Sequence, residues 1–211
     1  MGTAWFVDGG YANKAWKSVA GEDRLDYSRF REEIEKDAGE KIGDAYYFNC
    51  DNDPPSAGQN AFHRYLRSAP PRGPGLRVKL YWLQSKQLYW PHVMGGGPVL
   101  HPDTGEPYIQ KTQKAVDVGL AFHLMRSFSK VGWKKLYLVA GDGDFHEVIQ
   151  HLVENENVTV IVVGTADSLS GELAPYVDLV EFDGIIDDVK RLNSAPPHAA
   201  FHTEEEQESA A

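Results

Sequence analysis

The stretch from residue 136 to residue 152, LYLVAGDGDFHEVIQHL, constrains the fold more than any other part of the chain. Residues 136–140 form an apolar run with β-branched and aromatic members, which predicts a buried strand. Gly141 and Gly143 interrupt this strand, and apolar residues resume at helical spacing from Phe145. The stretch therefore predicts a strand, a tight turn and a helix, which together are a building block of α/β sheets.

Two aspartates, Asp142 and Asp144, lie in this turn. Ligand sites in open α/β sheets lie at the carboxyl ends of strands, and carboxylate oxygens suit Mg²⁺ or Mn²⁺. An ordinary Asp-Gly turn, with Asp144 as a helix N-cap, explains the same residues without any ligand. We therefore expect a site only if further carboxylates lie at other strand ends.

Asp8 and Asp117 are the further candidates. Residues 3–7, TAWFV, predict a strand that Asp8 ends, so the strand-Asp-Gly pattern occurs twice in the chain. Asp117 falls early in a predicted helix, where the helix dipole alone explains an acidic residue. The alternative is that Asp117 faces the strand ends that hold Asp8 and Asp142.

Strand and helix patterns alternate along the rest of the chain, without an internal repeat. The predicted strands are residues 3–7, 44–50, 77–83, 136–140, 158–163 and 178–182. The predicted helices are residues 11–19, 27–38, 58–68, 115–128, 145–152, 171–176 and 185–192. This alternation predicts one domain, residues 1–192, with a three-layer α/β/α sandwich and a mainly parallel sheet.

Two segments differ from this alternation. Residues 84–107 are rich in proline and glycine, which predicts an irregular loop or hairpin insertion beside the site. This insertion either covers a substrate or is a solvated decoration. Residues 193–211 are rich in Ala, Pro, His and Glu, which predicts a disordered acidic tail.

The distribution of charge along the chain tells more about a possible nucleic-acid partner than the net charge does. A formal net charge of −10 argues against a nucleic-acid partner, but no acidic residue occurs from residue 54 to residue 102. Cations interleaved with aromatic rings suit single-stranded nucleic acid, although core or hairpin packing also explains several of the rings. The residues concerned are Phe62, Arg64, Tyr65, Arg67, Arg72, Arg77, Lys79, Tyr81, Trp82, Lys86, Tyr89 and Trp90.

Several other classes of protein are excluded. The single cysteine, Cys50, excludes an internal disulfide framework and a cysteine-based zinc site. No apolar run is long enough to cross a membrane and no leader opens the chain, so we expect a cytoplasmic protein without a membrane partner. The chain has no Walker A loop, no Rossmann fingerprint and no Gly-x-Ser-x-Gly elbow.

Carboxylates that gather at one edge of a sheet repel each other unless a cation lies between them. With bound Mg²⁺ or Mn²⁺, such a cluster is suited to phosphodiester hydrolysis, because the metal activates water and neutralises the leaving oxygen. A phosphatase acting on small molecules uses similar chemistry, but the basic and aromatic segment favours a polymeric substrate.

Three motifs resemble the acidic motifs of NYN domains, the PIN-like, LabA-like ribonuclease fold. They are FVDGG at residues 6–10, KAVDVGLAFHL at residues 114–124 and LVAGDGDFHEVIQHL at residues 138–152. The resemblance covers roughly residues 3–192 and implies a metal-dependent ribonuclease with a parallel sheet. Carried over by position, the catalytic and metal-binding carboxylates are Asp8, Asp117, Asp142 and Asp144.

Two positions depart from the family pattern. Tyr11 stands where many members have Asn, and Ala140 stands where many have Ser, so two polar groups that orient a ligand or water are missing. These departures and the insertion rich in proline and glycine favour an alternative function, a catalytically weak domain that binds RNA or a protein partner. The expected contacts to the backbone of single-stranded RNA are Lys111, Lys114, Arg64 and Arg67. The sequence is compatible with a homo-oligomer and does not specify the oligomeric state.

Overall fold

The computed structural model describes residues 2–52, 54–112 and 114–192, so the predicted tail at residues 193–211 lies outside the described residues. The strands are β1 (Thr3–Asp8), β2 (Ile42–Asp51), β3 (Arg77–Trp82), β4 (Gln84–Gln87), β5 (Ile109–Thr112), β6 (Lys135–Val139), β7 (Thr159–Gly164) and β8 (Asp178–Glu181). The helices are α1 (Gly9–Ala20), α2 (Tyr27–Ala38), α3 (Ala57–Arg67), α4 (Val116–Val131), α5 (His146–Glu154) and α6 (Phe182–Val189).

Six of the strands form one sheet in the order β3-β2-β1-β6-β7-β8, and every neighbouring pair in it is parallel. Successive side chains along a strand point to opposite faces of the sheet. Because the central strands are nearly continuous apolar runs, both faces of the sheet are apolar. Trp5 and Val7 face a core shared with α1, α2, α3 and α6, whereas Ala4 and Phe6 face a core shared with α4 and α5. The predicted three-layer α/β/α fold with a parallel sheet is therefore confirmed.

The centre of the sheet is its topological switch point. β1 is followed by α1 on one face, and its neighbour β6 leads to α5 on the other face. The register pairs Val7 with Val139, so Asp8 and Ala140 lie beside each other at the carboxyl edge. A crevice opens at such a point, because the connections leave in opposite directions.

Three predicted segments differ from the structure. The closing helix begins at Phe182 rather than at residue 185, because the Phe182 ring is buried against Trp16, with ring centroids 5.5 Å apart. The segment predicted as a helix at residues 171–176 forms only a 3-10 helix, Ala174–Tyr176, with a proline in its first turn. The strand predicted at residues 178–182 ends at Glu181.

The insertion is a hairpin arm rather than an irregular loop. β4 pairs with β5 in antiparallel register, so the arm extends to Thr112, beyond the predicted end at residue 107. Its outer part is held by bridges between Tyr89 and Pro98 and between Leu100 and Pro107. In the described part of the chain, no helix combines the length and the apolar character needed to cross a membrane.

Candidate active site

Asp8 links the central strand to the first helix. It is the last residue of β1 and the N-cap of α1, and its Oδ1 accepts hydrogen bonds from the backbone N–H groups of Gly10 at 2.8 Å and Tyr11 at 3.0 Å. These bonds hold the carboxylate at the helix N-terminus, where a negative charge is favoured. Residue 9 must be small, because the Tyr47 hydroxyl occupies the place of a Cβ there. The sequence thus fixes one acidic group at the carboxyl edge.

Burial dominates the electrostatics of Asp8, which is 9% exposed. Desolvation raises the pKa of this carboxyl, the two backbone hydrogen bonds lower it, and the charges of Asp117 and Asp142 raise it further. The net direction is upward, so ionisation of this carboxyl is less favourable than that of an ordinary aspartate. Asp8 therefore lies within the electrostatic reach of aspartates from two other parts of the chain.

Asp142 and Asp144 lie in the turn that follows β6. Asp142 caps the 3-10 helix Gly143–Phe145, and its Oδ1 accepts a hydrogen bond of 3.1 Å from the Asp144 N–H. Both aspartates are exposed, whereas Phe145 is buried beneath them and anchors the turn. The N-cap that the sequence allowed here is formed by Asp142 rather than by Asp144.

Asp117 reaches the same edge from the opposite face of the sheet. It lies in the first turn of α4, two residues after the N-cap Ala115, whose φ of 69° reverses the chain before the helix. Desolvation is the main cause that raises the pKa of Asp117, followed by the charges of Asp142 and Asp144. The structure therefore brings all four predicted aspartates into one electrostatic cluster.

The donor chemistry of this cluster fits a hard divalent cation. Carboxylate oxygens are the ligands that Mg²⁺ and Mn²⁺ prefer, and a cation would relieve the repulsion that adds to burial in raising the pKa of Asp8 and Asp117. Across residues 2–52, 54–112 and 114–192, however, no three His, Cys, Asp or Glu side chains converge into a metal-binding group. The cluster thus matches the ion in donor type, whereas its side chains are not arranged as a ligand set.

The two departures from the family pattern have structural roles. The hydroxyls of Tyr11 and Ser168 share a hydrogen bond of 2.6 Å, and the Tyr11 hydroxyl occupies the place of a Cβ at Gly164. Ala140 is buried in the core beneath α4 and α5. Sequence reasoning missed Ser168 and Thr165, although both follow the apolar strand β7 and form a capping box there.

The four predicted RNA contacts fall into two groups. Lys111, on β5 of the hairpin arm, donates a hydrogen bond of 2.9 Å to Asn52 Oδ1, which places its ammonium beyond the carboxyl end of β2. The Lys114 carbonyl lies 3.8 Å from the Cys50 sulfur, so Lys114 also lies at this edge. Arg64 and Arg67 lie instead on α3, on the other side of the sheet.

Asp51 is an acidic residue that sequence reasoning left out as ordinary loop composition. It is the last residue of β2 and is buried, and its Oδ1 accepts a hydrogen bond from Gln59. Its Oδ2 lies 3.5 Å from Nδ1 of the buried His63, and neither atom has a hydrogen-bond partner among the described residues. This contact ties α3 to the carboxyl end of β2. The overlooked signal was an aspartate that ends a strand, as Asp8 does.

Comparisons with known proteins agree with this architecture. The NYN domain family profile matches residues 2–181. The chain belongs to the NYN domain family. A crystal structure of a protein of unknown function from Vibrio parahaemolyticus is similar, with a TM-score of 0.58 and 19% identity, covering 90% of this chain and 96% of that chain. No curated protein matches. NYN domains are generally nucleases and NYN nucleases act on RNA, so membership supports a hydrolase role in general.

Proposed function

We propose that this NYN domain is a Mg²⁺- or Mn²⁺-dependent ribonuclease that hydrolyses phosphodiester bonds in single-stranded RNA. The observation that carries the proposal is the gathering of Asp8, Asp117, Asp142 and Asp144 at the switch point. Burial, and to a smaller extent the charges of neighbouring aspartates, raises the pKa of Asp8 and Asp117, which is a cost that a bound cation offsets. The basic and aromatic segment at residues 54–102 supports a polymeric substrate.

The four aspartates are the residues that would hold the metal. A bound divalent ion would lower the pKa of a water molecule and neutralise charge on the leaving oxygen. Asp8 contributes a carboxylate whose Oδ1 is fixed by the N-cap bonds. Asp142 and Asp144 contribute exposed carboxylates on a turn anchored by Phe145. These four residues therefore have the catalytic role in this proposal.

In this proposal, Lys111 and Lys114 contact the phosphate backbone of the RNA. Both lie at the carboxyl edge, and their charge favours a strand that the acidic cluster alone would repel. The proposed active domain comprises residues 1–192, with the hairpin arm beside the site, and acts in the cytoplasm.

The test is cleavage of a labelled single-stranded RNA by the purified protein with Mn²⁺, Mg²⁺ or EDTA. Asp142→Asn, prepared identically, is the variant, and Asp178→Asn is its matched control because Asp178 is exposed on β8. We expect cleavage that needs metal, persists in the control and is lost in Asp142→Asn. Equal cleavage by all three proteins would indicate a contaminating nuclease and would refute the proposal.

A second candidate function is an RNA-binding or protein-binding regulatory module with weak catalysis. Tyr11 and Ala140 favour this function. The Tyr11 hydroxyl is engaged in a hydrogen bond with Ser168, and Ala140 has no polar side-chain group that could orient a ligand or water. A binding module retains its RNA affinity in Asp142→Asn and never cuts, whereas a nuclease loses turnover in that variant. Metal-dependent binding without cleavage by the wild-type protein would select this function.

A further inference from the structure

We infer that the part of the RNA strand next to the cleavage site lies in a groove formed by α1, the α1–α2 turn and α3. This inference rests on the proposed function and adds a path for the substrate. We call this feature the α1–α3 groove. It has a volume of about 860 Å³, and its lining includes Gly9, Lys17, Phe62, Arg64 and Arg72. None of the four aspartates of the cluster lines it.

The groove begins where the acidic cluster ends. Gly9 and Gly10, the two residues that follow Asp8, form part of its wall. Tyr47 and Asn49, on the neighbouring strand β2, line it as well, and the Asn49 amide donates a hydrogen bond of 3.3 Å to the Tyr47 hydroxyl. A strand whose phosphate lies at Asp8 therefore has a continuous path into the groove.

Phe62 provides a surface on which a base can stack. It is 37% exposed, although most of the aromatic residues around it are buried. Its ring packs edge-to-face against Tyr47 at a centroid distance of 6.0 Å and lies tilted against Tyr27 at a centroid distance of 5.9 Å. These buried rings hold Phe62 in place, so stacking a base on its exposed part requires little ordering of the protein.

The charge of the groove is positive, in contrast to the chain as a whole, whose net charge is −10. The cations that line it are Lys17, Arg24, Arg64, Arg72 and Arg191, against Glu22, Asp23 and Asp26. The Asp26 carboxylate is already engaged, because it caps α2 and accepts a hydrogen bond from Tyr65. The side chains of Lys17, Arg64 and Arg72 have no partner among the described residues, so their charges are available for phosphates.

The hairpin arm is a weaker candidate for the same segment of RNA. Its exposed aromatic rings are Tyr89, Trp90 and Tyr108, and its lysines are Lys86 and Lys111, of which Lys111 already donates a hydrogen bond to Asn52. The α1–α3 groove instead combines a supported ring, unpaired cations and continuity with Asp8. The number and arrangement of these features favour single-stranded RNA, in which bases and phosphates alternate.

The test measures binding apart from cleavage. The Asp142→Asn protein is titrated, with Mg²⁺ present, against a fluorescein-labelled single-stranded RNA of about ten nucleotides, and anisotropy gives the Kd. In this background we expect Phe62→Ala to weaken binding about tenfold or more and Phe62→Trp to retain it. The double variant Arg64→Gln/Arg72→Gln should bind more weakly and reduce the slope of log Kd against log salt by about 1.4, because each contact with a single strand contributes about 0.7.

Lys130→Gln is the matched control, because Lys130 is exposed on α4 at the opposite face of the sheet. It should leave the Kd within about twofold of the parent, because surface substitutions away from a site have small effects. Circular dichroism checks the fold of each variant, and the arginine pair tests the inference independently of any change in the Phe62 packing.

Unchanged affinity in Phe62→Ala and in the arginine pair would overturn the groove, even if the wild-type protein cuts RNA. Conversely, loss of affinity in these variants would support the groove even if the wild-type protein fails to cut. In that case the proposed nuclease activity would fail and the binding path would remain. If the Lys130→Gln control weakened binding as much as the groove variants do, the inference would also be overturned. The effect would then arise from a non-specific loss of positive charge.

Discussion

The hydroxyl of Tyr81 on β3 occupies the place where a Cβ at Gly119 of α4 would lie. Only glycine at this position lets the first turn of α4 approach the sheet with Tyr81 in place. The same turn carries Asp117, two residues earlier. The close approach of β3 and α4 therefore positions one of the four carboxylates of the site.

Gly119→Ala should disturb both stability and the site. We expect the free energy of unfolding to fall by about 1–3 kcal/mol, because the added methyl group forces the Tyr81 ring or α4 to move. Urea unfolding gives the stability, and RNA cleavage reports the displacement of Asp117. Adding Tyr81→Phe should recover part of the loss, since the hydroxyl is the nearest obstacle.

Gly184→Ala is the control for this substitution. Gly184 lies within α6, and a Cβ there meets nothing within 4 Å. Alanine should stabilise the protein by about 0.5–1 kcal/mol, because glycine is the poorer helix former. If the free energy of unfolding of the Gly119→Ala protein equalled that of the Gly184→Ala protein, the close approach of Tyr81 to α4 would be contradicted.

The hydrogen bond between Tyr11 and Ser168 should be measurable as a coupling energy. In a double-mutant cycle of Tyr11→Phe and Ser168→Ala, we expect a coupling of about 0.5–1.5 kcal/mol in urea unfolding. Tyr11→Phe should keep RNA cleavage, because the hydroxyl is directed to Ser168 and the ring still packs on Gly164.

A parallel cycle of Ser168→Ala with Tyr137→Phe is the control, because the Tyr137 hydroxyl bonds Asp37 instead. That cycle should be additive. A coupling near zero for Tyr11 and Ser168, or complete loss of cleavage in Tyr11→Phe, would contradict a structural role for Tyr11.

The charge of Asp8 should destabilise the metal-free protein at neutral pH. Burial raises its folded-state pKa above the ordinary value of 3.8, so in the window between the two values the folded state binds more protons than the unfolded state. The free energy of unfolding therefore falls as the pH rises through this window. Asp8→Asn removes the charge but keeps an oxygen for the N-cap bonds.

In EDTA, we expect Asp8→Asn to be more stable than the wild-type protein at pH 7, with a difference that shrinks as the pH approaches the ordinary value of 3.8. Urea unfolding across this range measures the difference, and Asp178→Asn should follow the wild-type profile. An Asp8→Asn variant that is less stable at pH 7 would show that the N-cap bonds outweigh the cost of burying the charge.

The central architecture was predictable because its signals are local. The strand-Asp-Gly pattern placed Asp8 and Asp142 at strand ends, and apolar periodicity gave α2 at residues 27–38 as the structure has it. The hairpin arm was harder, because β4 and β5 are short, polar strands that bury little surface. Their pairing depends on contacts between distant residues that no local pattern reports.

The finer features of the site depend on tertiary contacts. The pairing of Asp51 with His63 joins β2 to α3, and the approach of Tyr81 to Gly119 joins β3 to α4. Neither relationship is encoded in spacing along the chain. Phe62 and Arg72 both stood out in the basic and aromatic segment, but only the fold shows that they line one groove.

The most direct test of the account is single-turnover cleavage of a labelled single-stranded RNA at saturating Mn²⁺ by four single variants. These are Asp8→Asn, Asp117→Asn, Asp142→Asn and Asp144→Asn, with Asp178→Asn as the control. We expect each of the four to slow cleavage by about 100-fold or more, because each removes a carboxylate that is proposed to hold the metal, and the control to cut at the wild-type rate. Wild-type rates in all four folded variants would contradict the assignment of catalysis to the edge between β1 and β6.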